Sequence, residues 1–283
     1  PTPCPADMST SWNLNTQSPP FHDGVNTVQV CASDFSTLNE PNTSCLAPQT
    51  IEVDNSCTES AVGGGERLSA RFADSGSDVT AVGGGSGAEI VGWLSNNAGD
   101  PFSGATLCVK SRVIGVDRSM NQIATIRTDQ TGHYSYKLAP GPNREIMLGY
   151  RYDTNQVARF VRFYSHAQPA LYATPRKVTN LKRVRFRGHL AGPANDGRVV
   201  VLQANPPHSK RWITFRRATT DFGGSFRSNY RFTSTTRTTA YRFRALVPEQ
   251  AGYPWLEGTS GPVKVKVKGC AKKGGRARVP RCR

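Results

Sequence analysis

The side chains in this sequence whose types could do catalytic or metal chemistry are few and scattered. Five histidines, His22, His133, His166, His189 and His208, fall in five different loops or strands, far from the short spacings that gather imidazoles round a metal. Neither G-x-S-x-G nor H-E-x-x-H occurs, so nucleophile-elbow and zinc-hydrolase chemistry have no footing. Residues Gly83 to Ala88 match G-x-G-x-x-A, but Glu89-Ile90-Val91 follows as a strand, and without a helix there is no N-terminus to receive a phosphate. Asp129 and Asp221 stand in Asp-x-x-Gly settings where a loop carboxylate could bind calcium. The same spacing suits a type I turn better, with Asp accepting backbone N–H groups and Gly taking the positive φ. The expectation is a protein with no catalytic residue, no metal ligand and no cofactor, and not an enzyme.

Binding chemistry has more material. Trp212, Tyr253 and Trp255 could stack on sugar faces, although "AGYPW" also reads as a loop that folds over the end of a core. Basic side chains alternate with apolar ones at Arg185 and Arg187, Arg227 and Arg231, Arg242 and Arg244, and Lys264, Lys266 and Lys268. This pattern places cations on the outer faces of at least four strands, a surface suited to a polyanion. Aromatic residues there alternate inward, so the stacking that specific nucleic-acid binding needs is not expected.

Charge is divided along the chain: residues 1–57 carry −6, residues 58–172 carry +1 and residues 173–283 carry +21, within a net +16. One end is acidic and the other basic, a complementarity that suits head-to-tail association of copies as well as contact with an anionic cell-surface polymer.

The elements that must position these groups are strands. Gly (27) and Pro (19) punctuate 283 residues of short apolar runs, and no long amphipathic helix is legible. Asn26 to Ala32 and Thr50 to Val53 alternate as strands, and Val199 to Leu202 reads as a buried central one. No apolar run of about 20 residues spans a bilayer, and no basic-then-apolar leader opens the chain.

Seven cysteines without any C-x-x-C read as disulfides, and hence as an oxidising compartment. Cys31 lies opposite Val28 and Val30 on its strand, so a cross-strand staple to Cys45 is expected. Cys108 shares a face with Lys110, away from Leu107 and Val109, where the linker cysteine Cys57 could reach it. Cys270 then pairs with Cys282, and Cys4 is left over.

The segment "DGVNTVQVCASD" with "TIEVDNSC" resembles the closing half of bacterial Ig-like surface repeats, which implies that residues 1–57 belong to a partial domain of a longer protein. Residues 88–172, with "IVGWLSNNAGDPFSGATLCV", "ATIRTDQTGHYSYKL" and "GPNREIMLGYRY", resemble the carboxypeptidase regulatory-like, transthyretin-type sandwich. Gly92-Trp93-Leu94 is echoed by Gly188-His189-Leu190, and Thr128 to Tyr134 by Thr220 to Phe226, which implies two related sandwiches in series.

The expected organisation is therefore all-β, with tandem Ig-like or transthyretin-like sandwiches: a partial Ig-like domain over 1–57, a carboxypeptidase regulatory-like domain over 58–172, an Ig-like domain over 173–269 and a basic tail over 270–283. The expected role is a non-catalytic structural or adhesive segment of a secreted or cell-surface protein or fibre. The rival is a polysaccharide- or polyanion-binding accessory module of a larger extracellular enzyme.

Overall fold

The computed structural model describes residues 14, 16, 20, 21, 24–33, 43–53, 66–152, 155–207 and 209–270, and every regular element among them is a β-strand. The expected all-β architecture of tandem sandwiches is what the chain adopts.

Near the N-terminus, β1 (Gly24–Val28) pairs antiparallel with β4 (Gln49–Val53), and β2 (Cys31–Ser33) pairs with β3 (Thr43–Cys45). The expected long strand over Asn26 to Ala32 breaks at Gln29 and Val30, and the chain passes there from one ribbon to the other. Cys31 and Cys45 sit directly opposite and form a disulfide, the cross-strand staple that the side-chain alternation implies. Both ribbons are two-stranded, and Val25 (66% exposed) and Leu46 (69%) show how little they bury.

The first sandwich contains β5 (Glu66–Leu68), β6 (Arg71–Phe72), β7 (Val79–Val82), β8 (Ala88–Asn96), β9 (Thr106–Val113), β10 (Asn121–Arg127), β11 (His133–Leu138), β12 (Arg144–Tyr152) and β13 (Asn155–Ser165). One sheet runs β10-β9-β12-β13-β7 and ends on a parallel pair; the other runs β11-β8-β5, with β6 also on β8. Alternate residues turn inward and build a core of Phe72, Ile90, Leu94, Leu107, Val109, Ile146, Leu148, Val161 and Phe163.

The second sandwich contains β14 (Ala170–Thr174), β15 (Lys177–Thr179), β16 (Arg183–His189), β17 (Val199–Asn205), β18 (Ile213–Thr219), β19 (Ser225–Arg231), β20 (Thr239–Val247), β21 (Gly258–Thr259) and β22 (Val263–Lys268). Its sheets run β14-β16-β19 and β15-β22-β20-β17-β18, and β15 pairs parallel with β22. The expected central strand is β17, whose Val200 and Leu202 are fully buried among Val184, Phe186, Phe226, Phe243, Val265 and Val267.

The main strands of the two sandwiches match: the closing strand lies between an antiparallel and a parallel neighbour in both, and the internal echo falls on equivalent places. Gly92 pairs with Tyr134, and Gly188 with Phe226. A Cβ on Gly92 would lie 2.0 Å from the Ser69 carbonyl, and one on Gly188 would lie 2.0 Å from Phe226 Cζ and 2.4 Å from the Ala170 carbonyl. The aromatic ring crosses the strand where the glycine leaves room. The turns match as well. Asp129 Oδ1 accepts the Thr131 and His133 amides at 2.8 and 3.0 Å, and Asp221 Oδ1 accepts the Gly223 and Ser225 amides at 3.2 and 2.8 Å. The Gly132 and Gly224 amides close the turns on the Asp carbonyls at φ of 76° and 74°. Hydrogen bonds led by the Thr131 hydroxyl hold the Asp129 carboxyl below the usual carboxylate range.

The chain crosses between sandwiches over residues 166–169, and a loop of the second sandwich meets it. Leu256 donates its amide to the Ser165 carbonyl at 2.9 Å, Ala167 to Leu256 at 3.0 Å and Asn143 to Pro254 at 2.8 Å, making a hydrogen-bonded joint. On the same loop, Tyr253 and Trp255 pack onto the second core with ring centroids 6.4 Å apart. Arg198 stands over the Tyr253 ring at 5.9 Å and donates to the Ala251 and Gly252 carbonyls at 2.6 and 2.9 Å. Burial pushes the Tyr253 phenol up to about 12, against the opposing pull of Arg198.

Two outcomes follow. Gly188→Ala forces Phe226 or the β14 backbone to move and should cost the second sandwich about 1–3 kcal/mol or more, read as a lower denaturant midpoint for that sandwich with the first unchanged. Because the folded Tyr253 phenol ionises later than an unfolded one, its contribution is fully present below about pH 10 and is lost as pH rises through about 12. Tyr253→Phe should therefore lose less stability than the parent between about pH 9 and about pH 11.5, measured by chemical denaturation at both.

Candidate functional site

The outer face of β14-β16-β19 is set by the strict alternation of β16, whose Arg183, Arg185, Arg187 and His189 face solvent while Val184, Phe186 and Gly188 face the core. Register then decides the neighbours. Arg183 lies directly opposite Arg231, and Arg187 opposite Arg227, while Arg185 lies between Thr174 and Asn229. Tyr172, 60% exposed, stands beside Arg187 on the other side. Directly opposed residues have Cβ atoms roughly 5 Å apart, a placement in which like charges repel. These three strands contain no Asp or Glu. The Arg231 Nε finds only a backbone partner, the Leu181 carbonyl at 2.9 Å.

The first sandwich shows how this protein neutralises arginine on a sheet. Arg112, Glu145 and Arg162 form one row across β9, β12 and β13, and Glu145, 8% exposed, accepts from Arg112 Nε at 2.9 Å and from Arg162 Nε at 3.3 Å. Among the described residues these two ion pairs, both to Glu145, are the ones present. The five arginines of the β14-β16-β19 face have no such counterion among the described residues.

The structure divides the expected cations into two surfaces. Arg185, Arg187, Arg227 and Arg231 share the β14-β16-β19 face, to which Arg183, His189 and Tyr172 must be added. Arg183 was legible from its alternation with Val184, whereas Tyr172 lacked a signal because its strand has no long alternating run. Arg242, Arg244, Lys264, Lys266 and Lys268 lie on β20 and β22 of the opposite sheet, with Arg242 opposite Lys264 and Lys266 opposite Lys177. There Arg244 is engaged: its guanidinium lies 4.4 Å from the Trp212 ring centroid, and its Nε donates to Gln203 Oε1 at 2.8 Å.

The aromatic platform needs correction, because Trp212, Tyr253 and Trp255 do not come together. Trp212 precedes β18 beside the Ala204 end of β17, whereas Tyr253 and Trp255 sit on the loop that Gln250 ties to Val199 at the other end. A strand of this length holds the two ends roughly 20 Å apart. One face of Trp212 is taken by Arg244, and Tyr253 is 6% exposed, so these rings pack the protein itself.

Cys108 lies, as the alternation implies, on the face away from the main core, yet it is 3% exposed and packs with Met120, Met147 and Ala158 in a second small cluster. Cys108 and Cys270 are each disulfide-bonded. The expected partners Cys57 and Cys282, together with Cys4, lie outside the described residues, as do His22 and His208. Gly83 to Ala88 leads into β8 and opens no helix. Among the described residues there is no group of three or more His, Cys, Asp or Glu placed to hold a metal, and no helix long and apolar enough to cross a membrane.

No family model matches the chain, and no curated protein matches it. Among solved structures it is similar to invasin, a bacterial integrin-binding protein, at 14% identity over 73% of this chain and 40% of that one, with a TM-score of 0.35. It is similar to the Yersinia pseudotuberculosis adhesin InvE at 11% identity over 72% of this chain and 58% of that one, with a TM-score of 0.32. It is also similar to a tetra-tandem repeat from the extending region of a large adhesion protein, at 14% identity over 88% and 57%, with a TM-score of 0.34. The chain spans less than two thirds of each of these structures, and overlap at this level says nothing of function.

Proposed function

We propose that the chain is a non-catalytic, adhesive and structural segment of a secreted or cell-surface protein, and that the arginine face of β14-β16-β19 is its adhesive surface for an anionic polymer. The observation that carries this reading is the pair of directly opposed arginines, Arg183 with Arg231 and Arg187 with Arg227, on strands without a carboxylate. Folding alone does not favour that arrangement, since opposed like charges destabilise a sheet. A phosphate, sulfate or carboxylate chain laid across the face relieves the repulsion and releases its own counterions. Guanidinium groups suit such ligands because their planar forks bind two oxygens at once. The hydrogen-bonded joint at Ser165 to Ala167 supports a structural role, because it ties the sandwiches by more than a single covalent crossing. The Cys31–Cys45 staple and the bonded Cys108 and Cys270 support an oxidising, extracytoplasmic location. The strand order shared by both sandwiches supports an immunoglobulin-like reading of each, and the transthyretin-type likeness of the first rests on its sequence motifs.

Head-to-tail assembly of copies is the second reading. It is favoured by the open, two-stranded ribbons near the acidic end, with Val25 and Leu46 exposed.

The test is binding of the full chain to immobilised dextran sulfate across a salt series. About five phosphate-like contacts predict a loss of roughly 100-fold in affinity between about 50 and about 200 mM salt. Combined Arg185→Glu, Arg187→Glu and Arg227→Glu should abolish most of the low-salt binding without lowering the thermal midpoint, because all three side chains are exposed. Unchanged binding would refute the face. Light scattering at low salt decides the second reading, which fails if the chain stays monomeric at high concentration.

A further inference from the structure

The first sandwich carries a groove that the adhesive face does not explain. Its walls come from β5, β8, β11 and β13 with the turns that follow β5 and β8 and precede β11, and the open groove has a volume of about 1140 Å3. Two large rings are half open to it: Trp93 on β8, 40% exposed, and Phe160 on β13, 41% exposed. His133 lies opposite Trp93 on β11, with ring centroids 6.4 Å apart, and its Nδ1 is 2.9 Å from the Thr131 hydroxyl.

Two cations line the groove and a third stands over one of its rings. Arg71 lies over the Trp93 ring with its guanidinium carbon 5.8 Å from the centroid, and Arg67 and Arg159 line the walls. None of the three is in an ion pair among the described residues. Arg67 donates to Asn97 Oδ1 at 3.4 Å and Arg159 to the Ala158 carbonyl at 3.1 Å, which leaves most of their N–H groups for another acceptor. Asp78 is the carboxylate on the wall, where it accepts from the Ser77 hydroxyl at 3.3 Å.

The scaffold does not require these groups. The position of Trp93 in the second sandwich is His189, which is exposed and has no aromatic ring opposite it, since Ser225 is its partner. The same pair of strands therefore folds without an indole there. An exposed indole beside a second ring, in a concave site with free guanidinium groups, fits an acidic sugar: the C–H face of a pyranose stacks on a flat ring, and a carboxylate takes a bidentate arginine.

We propose that the Trp93 groove is a binding site for a uronate-bearing oligosaccharide, with Trp93 and Phe160 contacting ring faces and Arg67 and Arg159 contacting carboxylates. It lies wholly within the first sandwich and stands apart from the arginine face of the second. The test is isothermal titration of the full chain with a short oligogalacturonate and, separately, with a neutral maltooligosaccharide of equal length. Two variants divide the sites: Trp93→Ala, and Arg185→Ser combined with Arg187→Ser and Arg227→Ser. At about 200 mM salt, where the arginine face of the second sandwich is weakened roughly 100-fold, expected are saturable binding of the uronate oligomer, at least a tenfold loss in Trp93→Ala, partial retention in Trp93→Phe, and little change in the triple arginine variant. Circular dichroism and thermal midpoints establish that each variant is folded. Equal binding of the neutral oligomer would overturn the assignment of acidic sugar, and binding that survives Trp93→Ala or vanishes only in the triple arginine variant would overturn the site. Absence of saturable binding by either oligomer would overturn it too.

Discussion

The close packing of an aromatic ring across a bare glycine on the neighbouring strand governs both sandwiches. At Gly188 the Phe226 ring and the Ala170 carbonyl occupy the space that any side chain would fill, and at Gly92 the Tyr134 ring and the Ser69 carbonyl do the same. The Tyr134 hydroxyl also donates to the Ser69 carbonyl, and burial raises its pKa. These contacts hold the edge strand, the strand carrying Gly and the strand carrying the ring at fixed register. A one-residue slip would turn every inward side chain outward, so the register is stabilised by the whole core. What faces solvent is thereby fixed as well.

That fixed register gives meaning to the charges. On one sheet, Arg112 and Arg162 flank a buried Glu145, so the row is neutralised by a carboxylate that three strands place between two guanidinium groups. On a different sheet, β14-β16-β19 of the second sandwich, the same direct pairing puts arginine against arginine. The twofold period of a strand makes both arrangements possible, and the difference lies in what was placed at the outward positions. Repeated folds thus act as neutral carriers, with Trp93 and His133 on one copy and Arg187 and Arg227 on the other.

The joint adds a second constraint. Backbone pairing of Leu256 with Ser165 and Ala167 borrows the hydrogen bonds of a sheet to connect two domains. The loop that supplies it also carries Tyr253 and Trp255 into the second core, so loop, lid and joint share one set of contacts. Two of the rings with the outward appearance of a binding platform in the sequence belong to this packing.

Much of this was legible in the sequence because it depends on local alternation and on turns. The all-β class, the doubled Gly and Thr-Asp-x-x-Gly signatures, the outward arginines of β16 and β19, and the Cys31 to Cys45 staple each follow from a period of two or from four consecutive residues. Apart from that staple, partners across strands were not legible, since nothing local says that Arg183 meets Arg231 or that Glu145 meets Arg112 and Arg162. Trp212, Tyr253 and Trp255 were grouped by residue type, and only the tertiary structure separates them to opposite ends of β17. Trp93, marked in the sequence only as part of a repeat, joins Phe160, Arg67 and Arg159 because strands distant in sequence meet at one edge of the sandwich. Alternation fixes which way a side chain points, while long-range pairing decides what it meets.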